Sequence, residues 1–334
     1  MNRCCTFFLF LIRLASSGVV SAPHIICIKA LPFFPQELFM ESVKTDKLVH
    51  ERRRTIRIRR SALLKANLDD IDRPSIKLAE TKDEWSQAFG LVHKEYMEQG
   101  YITQPHPSAL SYNIYNFLPS TCVFIFKSYL TVISTLTQIF DSPEFGLPMD
   151  ALYRNELDEL RGQGRKVTEL SALATPKEVR WCNLMVYLSK TMFEYSRLSD
   201  VNDICIMVNP KHVRFYKAIF LFDDFGEEKF YDAVGAPAVA LRLNYDTIEE
   251  KLGEVYSEFD FESNLYAFFC KVNSTMEELR EGQISPQRRA PMDPDSFEFF
   301  SKTKPELFTN LNPEQSRFLH RHYPQSPALL TQDP

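Results

Sequence analysis

Two residues stand out as able to do acid–base chemistry, Glu169 and Tyr216. Glu169 lies in Val167-Thr168-Glu169-Leu170-Ser171-Ala172-Leu173-Ala174, a run that is otherwise small, polar or apolar and reads as a strand. A carboxylate there must face solvent, pair with an arginine, or be held for a purpose, because burying it unpaired is costly. Held in a cleft, it could take a proton from a nucleophile. Tyr216, in Arg214-Phe215-Tyr216-Lys217, falls on a helical stretch after Asn209-Pro210. A tyrosine there either packs in the core or offers its phenol as a proton donor. Residue types alone leave both pairs of readings open. Other chemistries have less support. Cys4, Cys5, Cys27, Cys122, Cys182, Cys205 and Cys270 form no CxxC. Their odd number and their scatter through apolar runs fit reduced, buried thiols rather than a disulfide framework. The histidines include no HExxH, and His320 and His322 lack neighbours to complete a zinc set, so no metal site is expected. There is no GxSxG and no Cys–His signature.

These two candidates need elements to carry them. Ser75 to Ala79 reads as a first strand, and Thr81 with Glu84 as a capping box for a helix running through Trp85, Phe89, Val92 and Tyr96 to Gly100. Thr121 to Phe126 and Thr131 to Phe140 read as an antiparallel hairpin joined by residues 127–130. Asp150 can cap a short helix bearing Leu152, Leu157 and Leu160 and closed by Gly162 or Gly164. After the strand 167–174, Thr175-Pro176 with Glu178 reads as the start of a helix through Trp181, Met185, Leu188 and Met192 to about Leu198. Asp203 to Val208 is an apolar strand, Asn209-Pro210 caps the next helix, and Ala238 to Leu243 alternates as the last strand. Strand, capped helix, buried strand, capped helix implies a parallel crossover inside a mixed α/β sheet.

Composition narrows the function classes. The chain has 334 residues, 44% hydrophobic and 25% charged, with 27 Phe and 14 Tyr, enough to build a sizeable aromatic core or an apolar ligand tunnel. Only 10 residues are Gly, and neither GxxxxGK nor GxGxxG occurs, which argues against P-loop and dinucleotide sites. A net charge of −5 argues against a dedicated nucleic-acid binder. One strip is basic: Lys44, Lys47, Arg52, Arg53, Arg54, Arg57, Arg59, Arg60 and Lys65. It reads as a solvated arm, or else as a docking strip for an acidic partner or, by peripheral association, an anionic membrane surface. Residues 1–39 hold an apolar stretch interrupted by Arg13, and Met40 stands just before the charged segment. They read as an upstream extension; Val20-Ser21-Ala22 is the export alternative. No run reaches the ~20 apolar residues of a membrane helix. The expected organisation is an N-terminal extension and basic arm over 1–72, a catalytic-type domain over 73–282, and a Pro-rich tail over 283–334 in which Glu306-Leu307-Phe308 and Pro313 to His322 read as short helices packed on the domain.

Several segments together carry a resemblance. They are Leu91-Val92-His93-Lys94-Glu95-Tyr96 with Gly100-Tyr101-Ile102; Ile133 to Pro148 with Asp141-Ser142-Pro143 and Gly146-Leu147-Pro148; Thr168 to Ala174; Asn209 to Tyr216; and Gly235 to Leu241. In order and spacing, residues 75–245 resemble the GNAT acyltransferases, and within them the FeeM-type long-chain N-acyl amino acid synthases, relatives of the acyl-homoserine-lactone autoinducer synthases. The resemblance implies a mixed sheet with helices on both faces and two central parallel strands, here 167–174 and 203–208, that splay apart. It implies that the opened edge takes the thioester donor, with Leu170, Ser171, Ala172, Leu173 and Asn209 binding substrate and backbone amides of residues 170–173 stabilising an oxyanion. Glu169 would be the base for an amine and Tyr216 the acid for the departing thiolate.

Two departures from the family pattern shape the expectation. CoA-using members carry a glycine-rich pyrophosphate loop after the central strand. Here that place reads Ala174-Thr175-Pro176-Lys177-Glu178-Val179-Arg180. The expected donor is therefore acyl carrier protein, which carries its own phosphopantetheine thioester, so no bound cofactor is expected. Lys177 and Arg180 would dock this acidic carrier, and the acceptor would be a free amino acid in the cytoplasm. Autoinducer synthases have an arginine three residues after the strand glutamate, where Ala172 stands here. An autoinducer-type synthase and a non-catalytic module that binds acyl carriers or lipids remain the alternatives.

Overall fold

The computed structural model describes residues 74–102, 104–176, 179, 184–259, 264–271 and 292–324. The N-terminal extension, the basic strip, and Lys177 and Arg180 lie outside these residues. The order is β1 (Pro74–Leu78), α1 (Lys82–Gln99), β2 (Cys122–Ser128), β3 (Thr131–Phe140), α2 (Asp150–Gly162), β4 (Val167–Ala174), α3 (Leu184–Leu198), β5 (Asp203–Val208), α4 (Pro210–Ile219), β6 (Asp223–Tyr231), β7 (Ala236–Asn244) and α5 (Tyr245–Tyr256). Two further helices follow, α6 (Pro294–Thr303) and α7 (Pro313–His322). The strands form one seven-stranded sheet in the order β1-β2-β3-β4-β5-β7-β6. Every neighbouring pair is antiparallel except β4 with β5, the predicted parallel crossover.

Strand periodicity divides the sheet between two apolar layers. Phe124, Phe126, Leu136, Ile204, Ile206 and Leu241 face α3 and α5. Val123 and Ile125 face α1 and the C-terminal helices on the other side. On that second face, under β3, β4, β5 and β7, Ile139, Val167, Cys205 and Ala240 meet Leu157 and Leu160 of α2. Helices therefore cover both faces, as the resemblance implied.

Local signals explain most boundaries. The Thr81 hydroxyl accepts from the Glu84 N–H at 3.3 Å. The Glu84 carboxylate, however, accepts from the Glu80 N–H rather than closing the box on Thr81. Gly100 ends α1 in the left-handed region at φ 76°, and Asn209 accepts from the Lys211 N–H to cap α4. Some boundaries differ from expectation or fall outside the described residues. Asp150 is the first residue of α2, not its cap; Met149 holds the cap position, and the Asp150 carboxylate is committed elsewhere. The described part of α3 begins at Leu184, and most of the start expected at Thr175-Pro176 lies outside the described residues. The last strand runs from Ala236 to Asn244, longer than expected. Beyond it lies the unpredicted edge strand β6, whose DDFGEEKFY sequence hides a strand because an edge with one wet side tolerates charge.

Candidate active site

The site begins with a change in pairing. The parallel ladder of β4 and β5 runs from Val167–Asp203 to Leu170–Ile206 and stops, while β4 continues to Ala174 and β5 to Val208. Each strand then follows its other neighbour. Met207 and Val208 stay paired with Ala240 and Val239 of β7. On β4, Ser171 opposes Thr137 and Ala174 opposes Thr135, so Ala172 and Leu173 together face the place of Leu136. This is a bulge, and a bulge bends its strand and increases its twist. Ala172 takes the left-handed conformation at φ 51°, which costs a non-glycine residue roughly 1–2 kcal/mol. The extra residue turns β4 away from β5 and opens a wedge.

A cavity of about 430 Å³ occupies the wedge and reaches both faces of the sheet. Toward the face covered by α1 and α2 it is lined by Asn113, Asn116, Glu169 and Tyr231. Toward the face covered by α3 and α5 it is lined by Leu136, Met185, Met192, Phe193, Ile206 and Phe269. One end thus carries a carboxylate and amides, and the other is apolar. Glu169, Leu170, Ser171, Ala172, Leu173, Asn209 and Tyr216 all line this one cavity.

Glu169 is 1% exposed. Its Oε2 accepts from the Met149 N–H at 2.8 Å. Burial pushes its pKa up to about 8; the Met149 hydrogen bond works against that shift and the nearby Asp150 charge adds to it. The carboxyl therefore changes charge near neutral pH, the range in which a general base is most useful. Burial likewise raises Tyr115, to about 12, and Tyr231, and the Glu169 charge contributes to both, so these phenols stay protonated beside it.

The loop Asp141 to Pro148 brings Met149 to Glu169. Arg161 of α2 grips it, donating to Asp141 at 2.7 and 2.8 Å and to Asp150 at 2.7 Å through each terminal nitrogen. Asp150 also accepts from the Leu147 N–H at 2.7 Å. Burial alone would raise Asp150, but Arg161 and Leu147 outweigh it and hold its pKa below the usual value. Gly146 sits at φ 61°, and a Cβ there would lie 2.5 Å from Asp150 Oδ2, so this turn requires glycine.

Tyr216 projects from α4 among Phe215, Phe220 and Phe222, with ring centroids 5.2–6.2 Å away, and still lines the cavity. Its ring thus packs with neighbouring aromatics while the residue borders the cavity. Sequence reasoning missed Asn113, Asn116, His212 and Tyr231 as lining residues, and Arg161 as the grip on the loop. Asp150 stands before a break in α2 at Tyr153, and eleven residues of regular helix would hold it too far from Arg161 to pair, so their spacing gave no signal. Tyr231 ends β6, a strand that charge concealed.

Residues 87–244 match the sequence model of the family described as "N-acyl amino acid synthase FeeM". No curated protein matches the chain. Among solved structures, FeeM, an N-acyl amino acid synthase from uncultured soil microbes, is 27% identical with a TM-score of 0.48, over 54% of this chain and 95% of that one. BjaI, a CoA-dependent acyl-homoserine lactone synthase, is 13% identical with a TM-score of 0.41, over 54% and 90%. An N-acetyltransferase from Staphylococcus aureus Mu50 is 12% identical with a TM-score of 0.36, over 51% and 97%. The family match runs from within α1 to the end of β7 and so contains the wedge, Glu169 and Tyr216.

Proposed function

With residues 87–244 an acyltransferase domain resembling the FeeM N-acyl amino acid synthases, we propose that this chain moves a long acyl chain from acyl carrier protein to the α-amine of an amino acid. The observation that carries this reading is the wedge: one cavity crosses the sheet, with a carboxyl titrating near neutrality at one end and an apolar pocket at the other. The apolar end suits an acyl tail. The edges of β4 and β5 beyond Leu170 and Ile206 suit the peptide-like pantetheine arm, which can hydrogen-bond as an added strand. The carboxyl end suits an amine.

The chemistry follows in that order. An amino acid binds as its ammonium, and Glu169 takes one proton from it. The freed nitrogen attacks the thioester carbonyl, a C–N bond forms, and backbone amides of the bulged segment 170–173 stabilise the oxyanion. The adduct nitrogen gives up its second proton to solvent, the C–S bond breaks, and the Tyr216 hydroxyl protonates the departing thiolate; Tyr216 is then reprotonated from solvent and Glu169 releases its proton there. The products are an N-acyl amino acid and the carrier thiol.

The carrier is favoured over CoA as donor because segment 174–180 contains no glycine to cradle a pyrophosphate. Lys177 and Arg180 would meet the acidic carrier, and such contacts weaken as salt rises. Among the described residues no helix is long and apolar enough to cross a membrane. Free Cys122, Cys205 and Cys270 accord with a reducing, cytoplasmic setting.

The test is reconstitution. Purified protein is given long-chain acyl carrier protein, matched acyl-CoA and the free amino acids, and products are read by mass spectrometry. N-acyl amino acid formed with higher kcat/KM from the carrier supports the reading. Equal or better use of acyl-CoA overturns the donor assignment. Release of 5′-methylthioadenosine from S-adenosylmethionine, with an acyl lactone as product, overturns the acceptor assignment.

A further inference from the structure

His212 is a lining side chain that the proposed chemistry leaves without a task. It sits in the first turn of α4, is 4% exposed, lines the cavity, and its Nε2 has no hydrogen-bond partner among the described residues. A buried polar atom left unpaired in the free protein is costly, and on a residue that lines a cavity a ligand group reached by a turn of the ring can pair with it. Burial, with the Lys211 charge adding, lowers its pKa to about 4. The ring is neutral near pH 7 and offers one N–H donor and one acceptor nitrogen. An amide offers the complementary pair.

Position decides which part of the substrate meets it. Asn209, His212 and Tyr216 recur at spacings of three and four, so they share one face of α4, and all three line the cavity. His212 stands one turn before Tyr216, about 6 Å along the helix axis. α4 packs on the α3 and α5 side of the sheet, through Val213, Phe215 and Tyr216, whereas Glu169 faces the other side. On the opposite face of the sheet from Glu169, His212 lies apart from the carboxylate and from the amine it would serve. If Tyr216 meets the sulfur, a group one turn back along the slot meets the arm that leads to it.

We infer that the His212 imidazole hydrogen-bonds an amide of the donor's pantetheine arm and thereby holds the thioester in register with Tyr216. The inference rests on the acyl-transfer reading above and assigns a donor-binding residue within it. His212 takes no proton from either substrate; its effect is on donor binding.

The test compares two donors with the same acyl chain: acyl-pantetheine, which has the amides, and the acyl ethyl thioester, which has none. His212→Phe, His212→Ala and His212→Asn are assayed with both at saturating acceptor, and each variant's thermal midpoint is recorded. For His212→Phe and His212→Ala, KM for acyl-pantetheine should rise about tenfold, the effect of one hydrogen bond, with kcat within twofold. The ethyl thioester should be used as well as by the unaltered protein. His212→Asn should recover most of the loss, because an amide side chain can pair with an amide. Should His212→Phe not fold, the alanine and asparagine variants give the same comparison. Equal losses with both donors, or a fall in kcat, would overturn the assignment, as would an unchanged KM for acyl-pantetheine. Should the unaltered protein form no N-acyl amino acid even from the matched acyl carrier protein, assayed in parallel, the acyl-transfer reading fails and this inference with it.

Discussion

Glu169 was conspicuous in the sequence because a charge stood inside a strand-like run. Its chemistry was not legible there. Whether a strand carboxylate meets solvent, an arginine or a cleft depends on what the rest of the chain lays over it. Here that is Met149, brought in by a loop whose grip comes from Arg161. Tyr216 was ambiguous for a related reason, since a helix residue beside a cleft can pack with its ring and still present its hydroxyl. The burial of Glu169 has a consequence for stability that catalysis does not share. With its folded pKa raised from the ordinary 4.5 to about 8, the folded protein keeps a proton that the unfolded chain releases. Its contribution to stability is fully present below the unfolded value and is lost as pH rises toward about 8. Glu169→Gln keeps the shape and the acceptor for Met149 but has no charge to bury. Its thermal midpoint should therefore match the unaltered protein near about pH 5 and exceed it by several degrees near about pH 9. The same difference at both pH values would show that the carboxyl is not desolvated.

At the scale of elements, the strands and helices that position the site were mostly readable, because hydrophobic periodicity and caps are local signals. Asn209-Pro210, Gly100 and the hairpin at residues 127–130 are examples. The bulge at Ala172–Leu173 was not readable. Ala172 is an ordinary residue for a strand, and only pairing with β3 on one side and divergence from β5 on the other forces it to φ 51°. β6 was hidden by its charged, half-wet edge. The bulge makes a prediction of its own. Ala172→Val puts a β-branched side chain in the left-handed region, where it is a conformational outlier. It should cost roughly 1–3 kcal/mol of stability and reduce kcat/KM in the protein that remains folded. Ala172→Gly, which relaxes the strain but loosens the unfolded chain, should stay within about 1 kcal/mol of the unaltered protein. Chemical denaturation measures both. A harmless valine would mean that the bulge is not fixed by this residue.

At the scale of the whole molecule, the C-terminal helices lie outside residues 87–244 yet share a core with that region. Phe300 is fully buried, with its ring centroid 5.3 Å from Phe89 and 5.4 Å from Tyr112, and its carbonyl accepts from the Tyr112 hydroxyl at 2.8 Å. Tyr323 donates to the Phe117 carbonyl at 2.7 Å. Phe89 and Tyr112 also line the cavity, so the tail backs the wall of the site. The short helices at 306–308 and 313–322 and their packing on the domain were legible in a Pro-rich tail; the helix α6 was not, since its place depends on aromatic partners some two hundred residues away. Phe300→Ala should lower global stability by about 3–5 kcal/mol in a single transition. A separate, early transition for the tail would show that it folds apart from the sheet. These layers converge on the claim that one protein folds a wedge around a carboxyl that works as a base. The most direct measurement is kcat of Glu169→Gln against the unaltered protein across neutral to alkaline pH, in protein shown by its thermal midpoint to be folded. Near neutrality kcat should fall by about 10²–10⁴-fold, and the gap should narrow once pH passes about 8, where the carboxyl is already ionised and still more of the acceptor amine becomes unprotonated. Full activity of folded Glu169→Gln near neutral pH would contradict the account.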